Sequence, residues 1–557
     1  MSASTERKKR QEARAAGTDK KTNESIRQAK ETKKWKVSYT IIIVVLVLLL
    51  AFSLFVTSSL PYRTLTAVQC STDKYTVADF EYYFGSGYNY FMSQYGSYAS
   101  YFGLNTGTDL KEQTCSISED ENITTWYDYF EDMALKNMQQ VSAFCSYAEQ
   151  NGIALDDEDN ATVEEQISSA RENADSGGYE NLDAYLEATY GPGVNEKTVR
   201  TQLERQVLAM KVSTQVEDSF TFTDEEKEAE YQNNRNDWDL YTYDYYFVQA
   251  EEVPVESSDA SEETADSAQQ SSEDTGSSEP SVSLDQNTDG SAEENVETAV
   301  TEETMAAAKT KADAIEAAYV ESPDTSLTDL VQSVLGDDSA NATTETDLEG
   351  SNINEVMAEW LKDASRKSGD STVLESADSG YYVVVYRSRS DNHYYTANVR
   401  HILIQAEASS DGTYSEEALQ TAYNRIQEIY NEFESGDRTE DSFAALATQY
   451  SEDSGSASNG GLYENVYKGQ MVDTFEEFCF AEGRKPGDTG IVEGSSGSYR
   501  GYHLIYYVGQ GELYSNYLAE QQLRSDKMSE WETQTEEAFA PVKKYAICYA
   551  SQGGTQS

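Results

Sequence analysis

The sequence predicts an α+β multidomain protein with one N-terminal transmembrane helix, a helical region, and two copies of an α+β domain. Three observations predict this. An uncharged apolar run separates a basic head from an acidic body. The body opens with segments whose apolar residues recur at helical spacing. Its second half holds one series of strand, helix and turn segments twice, in the same order.

The head, residues 1–36, carries 12 of the 41 Lys and Arg and 5 of the 100 Asp and Glu, leaving 29 basic against 95 acidic residues in the rest. The run that follows is centred on Ile41 through Leu50, and no charged residue lies between Lys36 and Arg63. A membrane-spanning helix needs about 20 apolar residues, and residues 37–56 supply them. The basic side belongs in the cytoplasm, so residues 1–36 form a cytoplasmic segment, 37–58 the span, and the remainder is exported. A cleaved signal peptide is the alternative. Its apolar core is shorter, about 7–15 residues, and ends in a small-residue site, which Ser58-Ser59-Leu60-Pro61 does not resemble. A single anchor of this kind points to a Gram-positive envelope.

The composition excludes several classes. A body this acidic does not suit a nucleic-acid partner. Only His393, His401 and His503 are present, too few for a His-based metal site, and no metal is expected. The five cysteines, Cys70, Cys115, Cys145, Cys479 and Cys548, form no paired framework. One bridge among the first three stays open, as do reduced core thiols.

Residues 59–238 read as helical. The stretch 122–151 places Trp126, Phe130, Met133, Met138, Val141 and Phe144 near 3.6-residue spacing, with Gly152 as a C-cap. A further helix is expected from Asp159 or Asn160, and another from Thr223, with acidic residues in its first turn. The Tyr and Met on these helices serve ordinary packing or an adaptable apolar cradle for unfolded chains. Residues 251–304 carry 17 acidic residues, no Lys, no Arg and no aromatic residue. Such a stretch cannot offset its ordering entropy and is expected to be disordered.

The repeat is read from ordered matches. Val248-Gln249-Ala250-Glu251 returns as Ile404-Gln405-Ala406-Glu407. Arg366-Lys367-Ser368-Gly369-Asp370 returns as Arg484-Lys485-Pro486-Gly487-Asp488. Gly380-Tyr381-Tyr382-Val383 returns as Gly501-Tyr502-His503-Leu504. The copies span residues 240–392, with the acidic stretch as an insertion, and 395–511. His401 aligns with Tyr245 and His503 with Tyr382. Residues 512–557 read as a helix followed by a strand pattern over 542–550, expected to pack near residues 64–70.

The second copy resembles the parvulin peptidyl-prolyl isomerases. The resemblance rests on Val399-Arg400-His401-Ile402-Leu403-Ile404, Tyr450-Ser451-Glu452-Asp453, Asn459-Gly460-Gly461-Leu462, Lys468-Gly469-Gln470-Met471, Phe475-Glu476 and Gly501-Tyr502-His503-Leu504-Ile505. With the anchor and the helical region, the chain is similar to the PrsA and SurA group of extracytoplasmic foldases. The resemblance implies a four-stranded antiparallel sheet flanked by helices, intact in the second copy and degenerate in the first, beside a chaperone-like helical region over 59–238. It implies isomerisation of X-Pro bonds in unfolded or partly folded exported polypeptides, without a cofactor. It places His401, Asp453 and His503 at the catalytic centre. Leu462, Met471 and Phe475 line a proline socket, with Met471 and Phe475 one helical turn apart, and Gln470 joins the substrate-binding set. Arg500 departs from the family, where an aromatic residue or Ser is common; it either belongs to the substrate-binding set, favouring acidic residues before proline, or is a solvated loop Arg. The two histidines either take part directly or support the site as structure, and Asp453 is either functional or a capped loop carboxylate. Gly461 stands where an acidic residue is common, and residues 463–465 add a residue before the next strand.

Rotation about an X-Pro bond crosses about 18–20 kcal/mol and breaks no bond. Such a site has to hold the ring and favour the twisted amide over both planar forms. A holdase-type binding module with weak or dispensable isomerase activity is the alternative, and a structural surface protein is a third reading. The oligomeric state is open, a dimer included.

Overall fold

The computed structural model describes residues 2–16, 20–254, 298–409, 412–497 and 499–550. In chain order the first elements are α1 (Ala3–Ala15), α2 (Lys20–Thr57), α3 (Leu60–Thr64), β1 (Thr66–Cys70), β2 (Asp73–Thr76), α4 (Val77–Tyr95), α5 (Trp126–Asn151), α6 (Asp157–Ser176), α7 (Leu182–Tyr190) and α8 (Glu196–Ser219). Then come α9 (Asp224–Trp238), β3 (Leu240–Gln249), β4 (Glu252–Pro254), β5 (Thr298–Val300), α10 (Glu302–Glu321), α11 (Leu327–Leu335), β6 (Thr343–Glu349), α12 (Glu355–Leu361), β7 (Ser371–Ser376) and β8 (Gly380–Ser390). The last are β9 (Tyr395–Gln405), α13 (Glu416–Ser435), α14 (Glu440–Tyr450), β10 (Leu462–Val466), α15 (Asp473–Phe480), β11 (Thr489–Ser495), β12 (Arg500–Leu513), α16 (Tyr514–Glu536) and β13 (Pro541–Lys543). The chain divides into two compact units, residues 1–221 with 524–557, and residues 222–523.

In the first unit, α2 carries the apolar run within one continuous helix, and Ile41 through Leu50 are exposed along it. Among the described residues no helix is long and apolar enough to cross a membrane. Helix starts are set by local chemistry. Thr76 and Asp79 close a capping box on α4, and Thr125 and Asp128 another on α5, which therefore begins at Trp126 rather than at residue 122. Asp156 caps α6 two residues or more before the expected start. Gly152 closes α5 at φ 70°, a left-handed position that suits glycine. Phe80, Phe84, Trp126, Phe130 and Met138 form the centre of the core, and Trp531 of the tail packs on Phe144 at 4.8 Å between ring centroids.

The tail completes a three-stranded sheet, with β1 between β2 and β13 and Val68 opposite Lys543. The strand expected over 542–550 is much shorter. After Lys543 the chain turns into a 3-10 segment, Tyr545–Tyr549, once the Lys544 amide has reached the Ala67 carbonyl. All five cysteines are free thiols, so the bridge left open among Cys70, Cys115 and Cys145 is not formed.

The second unit holds two four-stranded antiparallel sheets of matching order, β6-β3-β8-β7 and β10-β9-β12-β11. The registers correspond. His401 lies opposite Ile505 and Leu403 opposite His503, as Tyr245 lies opposite Val384 and Phe247 opposite Tyr382. Each edge strand carries the same bulge. Asp347 at φ 51° and Asn465 at φ 53° sit in the left-handed region, where one residue of the central strand (Thr242 or Asn398) faces two of the edge strand. The extra residue at 463–465 is therefore a feature of both copies and lies inside β10. The turns before the last strands also match. In each, an Asp side chain accepts the amide three residues back (Lys367 or Lys485), and a glycine near φ 90° donates to the strand (Gly369 to Tyr386, Gly487 to Tyr507).

Most of the acidic stretch, residues 255–297, lies outside the described residues. Its ends, expected to belong to a structureless segment, instead pair as β4 and β5, with Glu252 opposite Val300. In the second sheet the alternation of side chains separates two faces. Ile402, Ile404, Leu504 and Tyr506 pack on α13 and α14 through Ile426, Ile429, Phe433 and Phe443. Val399, Ile505 and Tyr507 pack on α15 through Phe475, Phe478 and Cys479. His401 and His503 have the parity of this second face.

Candidate active site

The site is built on adjacent central strands. His401 comes from β9 and His503 from β12, and their rings stack at 5.3 Å and 23° with Nδ1 to Nδ1 at 3.1 Å. Both are buried. On one side His401 Nε2 lies 2.8 Å from Asp453 Oδ2. On the other, the Tyr499 hydroxyl lies 2.8 Å from His503 Nε2. Asp453 follows α14, and its Oδ2 also accepts from Ser456 Oγ at 2.6 Å and from the Tyr463 hydroxyl at 3.0 Å. Its Oδ1 takes the Gly455 amide at 3.1 Å.

These partners fix one arrangement of protons. The hydrogen bond from His401, with those of Ser456 and Gly455, holds the Asp453 carboxyl well below the usual carboxylate range, so it is an acceptor only. His401 then donates its Nε2–H to Asp453, and in that neutral tautomer its Nδ1 is an acceptor. His503 supplies the Nδ1–H, and its free Nε2 accepts from Tyr499. Burial, and then the neighbouring His401, push the His503 pKa down to about 3, so that ring is neutral. Burial and the Asp453 charge raise the phenols of Tyr463 and Tyr499, keeping them as donors.

Two glycines make room for the histidines, one for backbone and one for a ring. Gly461, at φ 71°, leaves no space for a Cβ against the His401 carbonyl oxygen, and the Gly461 carbonyl accepts the His401 amide at 2.8 Å. A side chain at Gly494 on β11 would collide with His503 Nε2.

The structure brings His401, His503, Asp453 and Phe475 together. The Phe475 ring meets His503 at 5.4 Å and 90° and His401 at 5.7 Å and 78°. Phe475 is 1% exposed and belongs to the core beneath the site, whereas Met471 is partly buried beside it. They do not share a helical turn. The helix α15 begins at Asp473, and Met471 precedes it with its amide on Glu476 Oε1. Leu462 opens β10 immediately after Gly461 and is partly buried.

Two expected residues are occupied elsewhere. Gln470 is exposed and accepts the Tyr467 amide within its own turn, which closes the Lys468-Gly469 bend. Arg500 begins β12 and is paired with Glu493 of the neighbouring strand at 2.9 Å, so its charge is already matched. Three members of the site were not anticipated, namely Ser456, Tyr463 and Tyr499. Tyr499 precedes His503 by four residues across a hairpin, a spacing that carries no signal until β11 and β12 are paired.

Residues 381–508 match the PPIC-type PPIASE domain. The matched segment runs from β8 through β12 and so contains every residue of the site. The chain is also similar to curated foldases over part of its length. Foldase protein PrsA 1 of Listeria innocua is 34% identical over 114 residues, 20% of this chain and 31% of that protein. Foldase protein PrsA 1 of Listeria monocytogenes is 32% identical over 146 residues, 26% of this chain and 41% of that protein. The chain thus spans less than half the length of these relatives. A crystal structure of peptidylprolyl isomerase (PrsA) from Bacillus cereus is 26% identical, covering 28% of this chain and 55% of that one with a TM-score of 0.17. In the first sheet the positions of the two histidines hold Tyr245 and Tyr382, whose rings meet at 5.9 Å and 61° with no ring nitrogen between them.

Proposed function

We propose that this chain is an extracytoplasmic foldase whose second α+β copy, residues 395–511, isomerises X-Pro bonds in exported, incompletely folded polypeptides. The observation that carries the reading is the unbroken chain Tyr499–His503–His401–Asp453 within the PPIC-type segment. In it His503 is a neutral imidazole, and the half-buried Leu462 and Met471 come from the segments that carry Gly461 and Phe475. An X-Pro bond rotates without bond cleavage, so rate is gained by binding the twisted amide better than either planar form. Leu462 and Met471 offer the ring an apolar seat, with Phe475 supporting it from below. Asp453, saturated by donors on Oδ2, acts by fixing the tautomers. The His pair is thus a preorganised floor.

Residues 240–392 are a degenerate copy without isomerase chemistry, since tyrosines replace both histidines. The chaperone reading of residues 59–238 is supported by the exposed Tyr90, Tyr95, Tyr98 and Tyr101 in the first unit. An exposed aromatic cluster of this kind suits weak capture of apolar segments. The exposed run Ile41 to Leu50 between a basic head and an acidic body supports a single membrane anchor with the N-terminus in the cytoplasm. Proline exchange in a reporter peptide, followed by NMR or by protease coupling, tests the assignment. Catalysis that survives in His401→Ala/His503→Ala protein of intact fold would sink it. If isomerisation is absent but aggregation of an unfolded client is suppressed, the holdase reading replaces it.

A further inference from the structure

A second site lies in the first unit. A cavity of about 380 Å³ opens where α3, β2, the start of α4 and the start of α8 meet, and Arg63, Lys74, Lys197 and Arg205 line it. The exported body has 29 basic against 95 acidic residues, so four cations around one cavity run against the composition. The two carboxylates of the cavity are already engaged. Asp73 pairs with Arg205. Asp79 closes the α4 capping box through the Thr76 amide and hydroxyl and accepts Gln202 Nε2 at 2.9 Å. Arg63 spends its Nε on the Gly193 carbonyl at 2.8 Å. Lys74 and Lys197 form no ion pair among the described residues and are exposed. The cavity thus holds excess positive charge in the form of two unspent ammonium groups and an Arg with free guanidinium edges. Thr201 also lines the cavity, while the Thr198 hydroxyl beside it donates to Asn195 Oδ1 at 3.0 Å.

We propose that this cavity binds a phosphate ester. Tetrahedral phosphate presents several oxygens at once, which suits convergent Lys, Arg and hydroxyl donors better than a two-oxygen carboxylate does. The N-terminal end of α8 lines the cavity and adds positive potential to that of the side chains, whereas that of α4 is already met by the Asp79 carboxylate. A concave site lined by one sign of charge also concentrates counter-ions. Arg63 sits on α3, directly after α2. If α2 is the anchor proposed above, the cavity stands at the membrane surface and the phosphate is a lipid headgroup. Affinity for the phosphate itself does not depend on that reading.

The test uses the full chain in phosphatidylcholine nanodiscs, titrated calorimetrically with inorganic phosphate, glycerol phosphate and acetate. A parallel arm compares hydrogen exchange of residues 60–76 and 195–205 in phosphatidylcholine and in phosphatidylglycerol nanodiscs. Saturable, salt-sensitive phosphate-ester binding is expected, weakened at least tenfold in Lys74→Glu/Lys197→Glu and unchanged in the control Lys367→Glu. Added protection in phosphatidylglycerol identifies a lipid source, and binding of glycerol phosphate without that protection identifies a soluble one. No binding in either arm, acetate binding as tightly as phosphate, or a double variant indistinguishable from wild type would each overturn the proposal.

Discussion

Acidification should unlock the second sheet through His503. Its pKa falls from 6.5 to about 3 in the folded chain, so between these values the unfolded state binds a proton that the native state does not. Stability is therefore complete above pH 6.5 and is lost as pH falls through the window toward 3. Each pKa unit corresponds to about 1.4 kcal/mol, so lowering the pH from 7.5 to 5 should remove about 2 kcal/mol. The imidazole is buried, so solvent screening does not dilute the effect. The carboxyl of Asp453, also depressed, contributes only at lower pH, where its unfolded form begins to protonate. The measurement is hydrogen-exchange protection of the β9 and β12 amides, corrected for intrinsic exchange, across pH 5 to 7.5. His503→Phe should be less stable at neutral pH but lose the His503 part of the slope. Equal slopes in wild type and variant would refute the neutral imidazole and the proton arrangement built on it.

Four further outcomes follow from the same geometry. Asp453→Ala strands the donors of His401, Ser456 and Tyr463, so it should cost about 1–3 kcal/mol in chemical denaturation besides lowering isomerase turnover; a loop carboxylate that only capped its neighbours would cost less. Phe475→Ala should lose about 3–5 kcal/mol because the ring is core, and circular dichroism with melting will separate that loss from any change in proline binding, with Phe475→Leu as the milder comparison. Gly461→Ala should disrupt the β9–β10 pairing at His401, seen as lost protection of the His401 amide. Full-length His401→Ala/His503→Ala protein should show no residual isomerisation, because the first copy offers Tyr245 and Tyr382 in place of imidazoles.

Local chemistry was legible from the chain alone. The helix entry Thr223–Glu226 lies within four residues, and the αL glycine Gly152 ends its helix on its own account. The repeat was legible because identical turn geometry demands similar short segments, as at Gly369-Asp370 and Gly487-Asp488. The shared bulge was missed because Asp347 and Asn465 differ in type while adopting one conformation. The α5 start was overextended because apolar spacing marks a face and says little about where the first turn forms.

By itself the sequence determined the charge asymmetry around an apolar run and the doubled α+β pattern, and its parvulin resemblance singled out His401 with His503 as candidates. Tertiary structure alone decided what surrounds them. His401 meets His503 across 102 positions and Asp453 across 52. Hydrogen bonds over such separations are set by strand register and loop path, neither of which short-range spacing encodes. The same holds for Phe475, whose place in the core follows from α15 lying on the sheet, and for Arg500, whose charge is met by Glu493 only once β11 and β12 pair. Secondary structure is written within a few residues. A buried polar network forms only where distant segments converge, because each member must find its partner there or lose its hydrogen bonds to water without replacement.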